Sequence, residues 1–352
     1  MVEQEQRVSN HTAEREQARA AEPTRRMEAI VQNAYGDAAA LSFTEIDKPL
    51  LDADGVLVRV HAVSLHAGDV VLLSGTPYLA RFMVGWPKPR RNFVPGFSVA
   101  GVVEEVGANV TSLKPGDAVF GECKGALAQF ALGTEKTLVA KPTRLTFAQA
   151  AAMPTSALTA QHALRDAAKV RPGQRVLING ASGGVGLYAV QIAKALGATV
   201  TAVCSSANLE MVRGLGADRV IDYTVEDFTN GSETYDLIFD TVGNHSFSQL
   251  RRVLAPTGVV VPIGKASLGS MMAGTIRSLF TPQKDVRFVY TSNREDLLSL
   301  ADLIEAGKLT TVIDRTYRLE QTPEAITYVG SRHARGKVVI LVTPDAERLV
   351  AH

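Results

Sequence analysis

Gln174-Arg175-Val176-Leu177-Ile178-Asn179-Gly180-Ala181-Ser182-Gly183-Gly184-Val185-Gly186 carries an apolar β-type run straight into a glycine-rich turn. A helical period follows: Val185, Ala189, Ile192, Ala193 and Leu196 share one face, and Gly197 supplies a C-terminal stop. Residues 198–204 are strand-like again, completing a βαβ unit with its glycines at the strand-to-helix turn. Gly183 and Gly186 match the second and third glycines of GxGxxG, while Ala181 stands in place of the first. Gly183 would let the backbone approach a pyrophosphate, and Gly186 would let the helix pack closely on the strand. The helix start adds free N–H groups and a partial positive charge. A bare glycine cluster can be no more than a tight turn, but here both strands and the helix accompany it. Ala181, Ser182, Gly183, Gly184, Val185 and Gly186 are therefore the expected phosphate cradle of a dinucleotide, which makes the chain a candidate redox enzyme. Gly264-Lys265 is no rival site, because it lacks the upstream Gly and the following Ser or Thr of a P-loop.

Working outward, strand candidates lie at 174–179, 198–204, 219–222, 235–240, 258–263 and 286–290, with helices between them. The last helix opens with Ser292-x-x-Glu295, a capping-box pattern. This alternation predicts an α/β architecture with a doubly wound parallel Rossmann sheet over 155–307. Residues 27–154 instead show short β-type runs such as 55–60 and 99–106, separated by turns. In Lys114-Pro115-Gly116-Asp117, Pro115 presets φ and Gly116 accepts positive φ, as a type II turn requires. After Leu309 the chain is β-like again at 310–314 and 337–342, with a short helix starting at Thr322-Pro323. Residues 308–352 are expected to return and complete the first, β-rich domain, and residues 1–26 to form a flexible polar tail.

Composition narrows the class. The 352 residues carry a net charge of +1, which favours neither nucleic acid nor an anionic membrane globally. Two cysteines, Cys123 and Cys204, make no disulfide framework, so a reducing, cytoplasmic setting is expected. No apolar run reaches a membrane span of about 18 residues. The first residues mix Glu3, Glu5, Glu14 and Glu16 with arginines and show no signal-peptide apolar region.

The end of the second strand bears on which nicotinamide dinucleotide binds. An NAD site usually places Asp or Glu there to hold the ribose hydroxyls. Here stands Cys204-Ser205-Ser206-Ala207-Asn208. With no carboxylate in that stretch and two hydroxyls to donate, the reading favours NADPH, with NADH as the alternative.

The combination of Val63-Ser64-Leu65-His66-Ala67-Gly68-Asp69, Val94-Pro95-Gly96-Phe97-Ser98-Val99-Ala100-Gly101, Lys114-Pro115-Gly116-Asp117, the glycine-rich turn, Gly216-Ala217-Asp218 through Asp222-Tyr223, and His333-Ala334-Arg335-Gly336-Lys337 resembles the medium-chain dehydrogenase/reductase superfamily. The resemblance is to its zinc-independent quinone oxidoreductase branch (zeta-crystallin-like). It spans 27–342 and implies a discontinuous GroES-like β-rich domain beside a Rossmann domain, with NADPH in the cleft and a homodimer pairing through strand 286–290. By the same resemblance, Ser182 to Val185 lie at the phosphates, and Ser205, Ser206 and Tyr223 surround the adenosine ribose and 2′-phosphate. Val242 and Gly264 lie nearer the nicotinamide, and His333, Ala334 and Arg335 beside the cofactor. At Asn208 many relatives carry a Lys or Arg for the phosphate, a role left here to Arg332 or Arg335.

Zinc-dependent relatives draw ligands from the positions of His66, Phe97 and a residue near Thr155. Phe97 has no donor atom, and a catalytic zinc usually needs three protein ligands. No metal is therefore expected. His66 replaces the usual Asn of the branch, and its imidazole could hydrogen-bond or donate a proton. Ser98 replaces a common Asp, and Tyr78 lies in the loop expected to face the substrate as a second proton-donor candidate. Hydride transfer to a quinone or α,β-unsaturated carbonyl suits such a site, because conjugation spreads the developing charge and a hydrogen-bond donor can replace a Lewis acid. Two alternatives are another oxidoreductase on this scaffold (an enoyl-thioester reductase or metal-free alcohol dehydrogenase) and a non-catalytic NADPH-binding protein. The basic and aromatic stretch 81–93 reads as a solvated loop.

Overall fold

The computed structural model describes residues 26–263, 282–288 and 290–347. A hairpin of β1 (Arg26–Gln32) and β2 (Leu41–Asp47) opens the chain, so Arg26 already belongs to a strand rather than to the tail. Next come β3 (Gly55–Leu65), α1 (Ala67–Ser74), β4 (Ser98–Val106), β5 (Ala118–Glu122), β6 (Phe130–Thr134) and β7 (Leu138–Ala140). β3 is the spine of this part, rich in Val and buried along nearly all its length. It pairs antiparallel with β4 and β6. Gly116 has φ +93°, as the expected turn demands. Two short helices, α2 (Phe147–Ala151) and α3 (Pro154–Gln161), lead into the second sheet.

That sheet is built from β8 (Arg175–Asn179), β9 (Thr199–Cys204), β10 (Arg219–Asp222), β11 (Tyr235–Asp240), β12 (Leu254–Pro262) and β13 (Lys284–Asp285). Its order is β10-β9-β8-β11-β12-β13 and every pairing is parallel. The direction of winding reverses between β8 and β11, the place where a doubly wound sheet opens a crevice at its carboxyl edge. Val176, Leu177 and Ile178 of β8 are fully buried, as the centre of a sheet covered on both faces should be.

The crossovers are leaner than the sequence suggests. Helix α4 (Gly186–Ala195) joins β8 to β9, and α5 (Leu209–Gly214) joins β9 to β10. Between β10 and β11 there is only a single 3₁₀ turn, Phe228–Asn230, capped by Asp227. The linking residues are mostly polar and carry too few apolar positions for a longer helix. The sixth strand is two residues long and lies just before 286–290; of that stretch Val289 is outside the described residues. Helix α6 (Arg294–Glu305) is capped by Asn293, whose side chain accepts from the Asp296 N–H, so the expected Ser292 cap is displaced by one residue.

The chain then returns to the first sheet. β14 (Ile313–Arg318), α7 (Thr322–Gly330) and β15 (Lys337–Leu341) follow, giving the order β14-β15-β3-β4-β5-β7 with β6 also on β3. Helix α4 is buried on every side from Gly186 to Ala193, not along one stripe. Its outer face meets the returning segment: the Tyr188 hydroxyl lies 2.6 Å from Thr311 Oγ1, and Gln191 exchanges hydrogen bonds of 3.0 and 2.8 Å with the Thr310 backbone.

Candidate active site

The glycine-rich turn begins at Gly180, whose φ of +83° is open to glycine at little cost. A Cβ there would meet the Thr241 and Val242 side chains, which places Val242, at the end of β11, directly against the turn. Gly186 is held more tightly: an added Cβ would lie 2.1 Å from the Gly180 carbonyl oxygen. Val185 is the N-cap of α4 and contributes no side-chain cap; the Leu187 and Tyr188 N–H groups donate to the Gly183 and Val185 carbonyls, and the Gly186 N–H that opens the helix has no side-chain acceptor. Ala181 is buried, whereas Ser182, Gly183, Gly184 and Val185 are partly open. Beneath the turn the Asn179 side chain donates to Asp240 Oδ1 at 2.9 Å and Asn244 Oδ1 at 3.0 Å, fixing the two strand ends that flank the switch point.

At the next strand end, Asn208 Nδ2 donates to Ser182 Oγ at 3.2 Å and to Ser205 Oγ at 3.1 Å. It thus ties the phosphate turn to the end of β9. Ser206 differs from its expectation, because its hydroxyl donates to Asp222 Oδ2. The strand end is therefore not free of carboxylates. The parallel register sets Asp222 opposite Cys204, and so beside the serines. Hydrogen bonds from Ser206 and then from Thr224 hold the Asp222 carboxyl below its ordinary range. Tyr223 follows it, exposed, with its N–H donating to the Cys204 carbonyl at 3.1 Å.

The third wall comes from the loop before β15. His333 and Arg335 are exposed, Ala334 packs on the core, and the Arg335 N–H donates to Asp314 Oδ2 at 2.9 Å. Gly336 and Lys337 meet the turn at Gly184, where a Cβ would come 3.5 Å from Lys337 Cδ. Lys337 is only 2% exposed, and its Nζ donates to Ser156 Oγ at 2.7 Å and to the Leu65 carbonyl at 3.5 Å. Burial pushes its pKa down to about 8, with Asp69 acting in the opposite direction. Sequence reasoning gave this residue no role, although a lysine opening an otherwise apolar strand was a visible signal. Gly264 lies outside the described residues.

One residue past Leu65 stands His66, the N-cap of α1. Its backbone N–H donates to Asp69 Oδ2 at 2.9 Å, and the same oxygen lies 3.3 Å from His66 Nδ1. Asp69 thereby fixes the ring, and His66 Nε2 is left buried without a hydrogen-bond partner. Gly68 makes room for this arrangement, since a Cβ there would lie 2.8 Å from Nδ1. Buried polar atoms are usually hydrogen-bonded, so this nitrogen, one of nine such side-chain atoms among the described residues, is a candidate to meet a bound group.

Tyr78 is placed differently. It is exposed, its ring engages Arg81 and Trp86, and no hydrogen bond joins it to His66. Ser98 is buried; its hydroxyl donates to the Ala151 carbonyl at 3.0 Å and accepts from the Thr155 N–H at 3.4 Å. It braces backbone at the position where the family resemblance points to a common Asp. The Thr155 hydroxyl donates to Glu122, which also accepts from Tyr290.

Two family models match the chain: the alcohol dehydrogenase GroES-like domain over residues 52–160 and the zinc-binding dehydrogenase over 215–340. The mitochondrial NAD(P)H oxidoreductase RTN4IP1 of Mus musculus is 35% identical, across 90% of this chain and 89% of its own length. The chloroplastic NADPH-dependent alkenal/one oxidoreductase of Arabidopsis thaliana is 34% identical, across 90% of this chain and 80% of its own. The solved quinone oxidoreductase of Coxiella burnetii superposes with a TM-score of 0.81 at 30% identity, covering 90% of this chain and all of that one. Fold, crevice and relatives define an oxidoreductase that uses a nicotinamide dinucleotide. The chain belongs to the medium-chain dehydrogenase/reductase superfamily, in its quinone oxidoreductase branch.

The uncapped helix start, the crowded Gly186 and the orphaned His66 nitrogen fit a dinucleotide. Zinc, which the second family model's name raises, does not fit the donor set. Phe97 offers no ligand atom, the Thr155 hydroxyl is donated to Glu122, and no group of three or more His, Cys, Asp or Glu among the described residues is arranged to hold a metal ion.

Proposed function

We propose that this enzyme is a zinc-independent, NADPH-dependent reductase of quinones or α,β-unsaturated carbonyls. The observation that carries the reading is the convergence of three segments on one crevice. The glycine-rich turn, Lys337 and the end of β3 meet there, and His66 Nε2 stands unsatisfied beside them. When bound, the reduced nicotinamide supplies a hydride to the conjugated acceptor.

The chain's own residues do the rest. The turn from Ser182 to Val185, with the start of α4, borders the pyrophosphate, which accepts from those N–H groups that have no backbone acceptor. Lys337, in its protonated form, places a positive charge under the turn. His66, steered by Asp69, presents Nε2 to the acceptor oxygen as hydrogen-bond donor when it carries the proton. Ser205, Asn208, Tyr223 and Arg335 border the adenosine end, and Val242 lines the approach to the nicotinamide. The NADPH preference is supported by the name of the alkenal/one relative and by Ser205, and Asp222 opposes it. NADH is therefore the second cofactor to assay.

The same reading divides the chain into a β-rich domain over 27–154 and 308–352 and a dinucleotide-binding domain over 155–307. A homodimer is supported by β13, which lies at the edge of its sheet. A reducing, cytoplasmic setting is supported by Cys123 and Cys204, both free and buried. The test is oxidation of NADPH and of NADH in the presence of 1,4-benzoquinone or a 2-alkenal. Turnover with either acceptor, undiminished by EDTA, is expected; turnover of neither acceptor, or activity that returns only with zinc, would overturn the proposal.

A further inference from the structure

Of the twelve large apolar residues exposed among the described residues, five fall within nine positions: Tyr78 at 66%, Leu79 at 76%, Phe82 at 67%, Met83 at 61% and Trp86 at 59%. They form an ordered cluster. Phe82 and Trp86 stack at 6.0 Å with planes 13° apart, and Tyr78 meets Trp86 edge-on at 6.4 Å. The Arg81 guanidinium lies 4.5 Å from the ring centres of both Tyr35 and Tyr78, and its Nε donates to the Gly75 carbonyl at 3.1 Å. A contiguous exposed apolar patch of this kind marks an interaction surface.

Charge selects the partner. Residues 70–103 contain Arg81, Lys88, Arg90 and Arg91 and no Asp or Glu. A chain of net charge +1 thus gathers basic groups around its most apolar surface. Two copies meeting through this face would oppose like charges. Rings with one polar edge, flanked by lysine and arginine, are the composition that settles at a lipid headgroup boundary. No helix among the described residues is long and apolar enough to cross a membrane, so the contact would be peripheral.

Adjoining the patch is a cavity of about 680 Å³, lined by Val84, Phe93, Phe97 and Phe130, with Arg90, Arg91 and Lys124 outnumbering Asp47 among its charged groups. Met83 belongs to both patch and cavity. We propose that the loop 78–91 docks on an anionic lipid bilayer, and that the adjoining cavity receives the apolar chain of an acceptor drawn from that bilayer. The second half rests on the quinone or enone reductase reading, whereas the docking itself does not.

Trp86 is the only tryptophan in the chain, so its emission reports on this loop alone. The purified protein is titrated with vesicles of equal parts phosphatidylglycerol and phosphatidylcholine, and separately with phosphatidylcholine alone. The expected result is a blue shift and co-sedimentation with the anionic vesicles, weakened by high salt. Lys88→Glu with Arg90→Glu should lower the partition coefficient by about tenfold or more. Leu79→Ser with Phe82→Ser should remove co-sedimentation while leaving turnover of water-soluble benzoquinone unchanged.

No response to anionic vesicles, as an acidic protein partner would give, overturns the docking. So does co-sedimentation that survives Leu79→Ser with Phe82→Ser, or a blue shift that grows with protein concentration in lipid-free buffer, which would seat a second copy on the patch. Docking without turnover of any quinone or 2-alkenal, free or vesicle-embedded, would sink the reductase reading and leave the docking standing. Turnover of benzoquinone without vesicle binding would do the reverse.

Discussion

The glycine-rich turn and the loop 78–86 sit at opposite extremes of packing. At Gly186 a single added carbon has no space, because the Gly180 carbonyl lies 2.1 Å from where it would stand. At Leu79 and Phe82 whole side chains stand in solvent. The turn is closed by its own backbone, as the proposed phosphate site requires. The loop is held from beneath by buried Val84, by the Tyr35 hydroxyl and by Arg81, and turns its rings outward as a surface. The glycine-rich turn is built on rigid strand ends, while residues 78–86 form an exposed loop, the kind of segment whose surface is free to meet a partner.

The sharpest way to break that contrast is Gly186→Ala. Overpacking at this contact should cost about 3 kcal/mol of stability and displace the start of α4. Cofactor affinity should fall more than about a hundredfold, read by fluorescence titration. Near-normal affinity would mean that the turn is not the phosphate site.

Next in size is His66→Ala, expected to lower kcat about a hundredfold with cofactor Kd nearly unchanged. His66→Asn should recover part of the loss if hydrogen bonding is the role. Equal loss in both variants would favour proton donation, and no loss in either would leave the imidazole a packing group.

Lys337→Met should weaken cofactor binding about tenfold at neutral pH, from loss of one charge near the phosphates. The wild type should lose affinity as pH rises through about 8, where Lys337 sheds its proton, and the variant should not. The stability effect has the opposite sign. Between about 8 and the ordinary lysine value, the unfolded chain binds this proton and the folded chain does not, so this residue's contribution to stability rises with pH over that window. Chemical denaturation of both proteins at several pH values, without cofactor, would reveal it.

The smallest effect is expected at Asp222. Asp222→Asn removes the negative charge beside Ser206 and should raise the preference for NADPH over NADH about fivefold in kcat/KM. An unchanged ratio would place the 2′-phosphate away from this carboxylate.

Much of the fold was legible because its signals are local. The glycine-rich turn, the parallel strand spacing and the turn at Gly116 each depend on a few adjacent residues. What stayed hidden depends on register or on distant burial. Asp222 reaches the serines only because β10 pairs with β9 in one particular register, which no window of sequence displays. Lys337 stood inside a motif that was read for its neighbours. Its depth and its contacts with Ser156 and Leu65 arise from residues far away in the chain. Ser292 made a convincing cap on paper, but Asn293 lies where its side chain reaches Asp296. Tyr78 is a proton-donor candidate from its loop position, and the contacts of its ring with Arg81 and Trp86 add a packing role that the sequence did not display.

Helix α4 carries one more consequence. Its start is the proposed cofactor cradle, while Tyr188 and Gln191 clasp Thr310 and Thr311 on the way back to the other sheet. One rod therefore belongs to both halves, and they should melt as a single cooperative unit. Saturating cofactor should raise that one transition instead of splitting it in two.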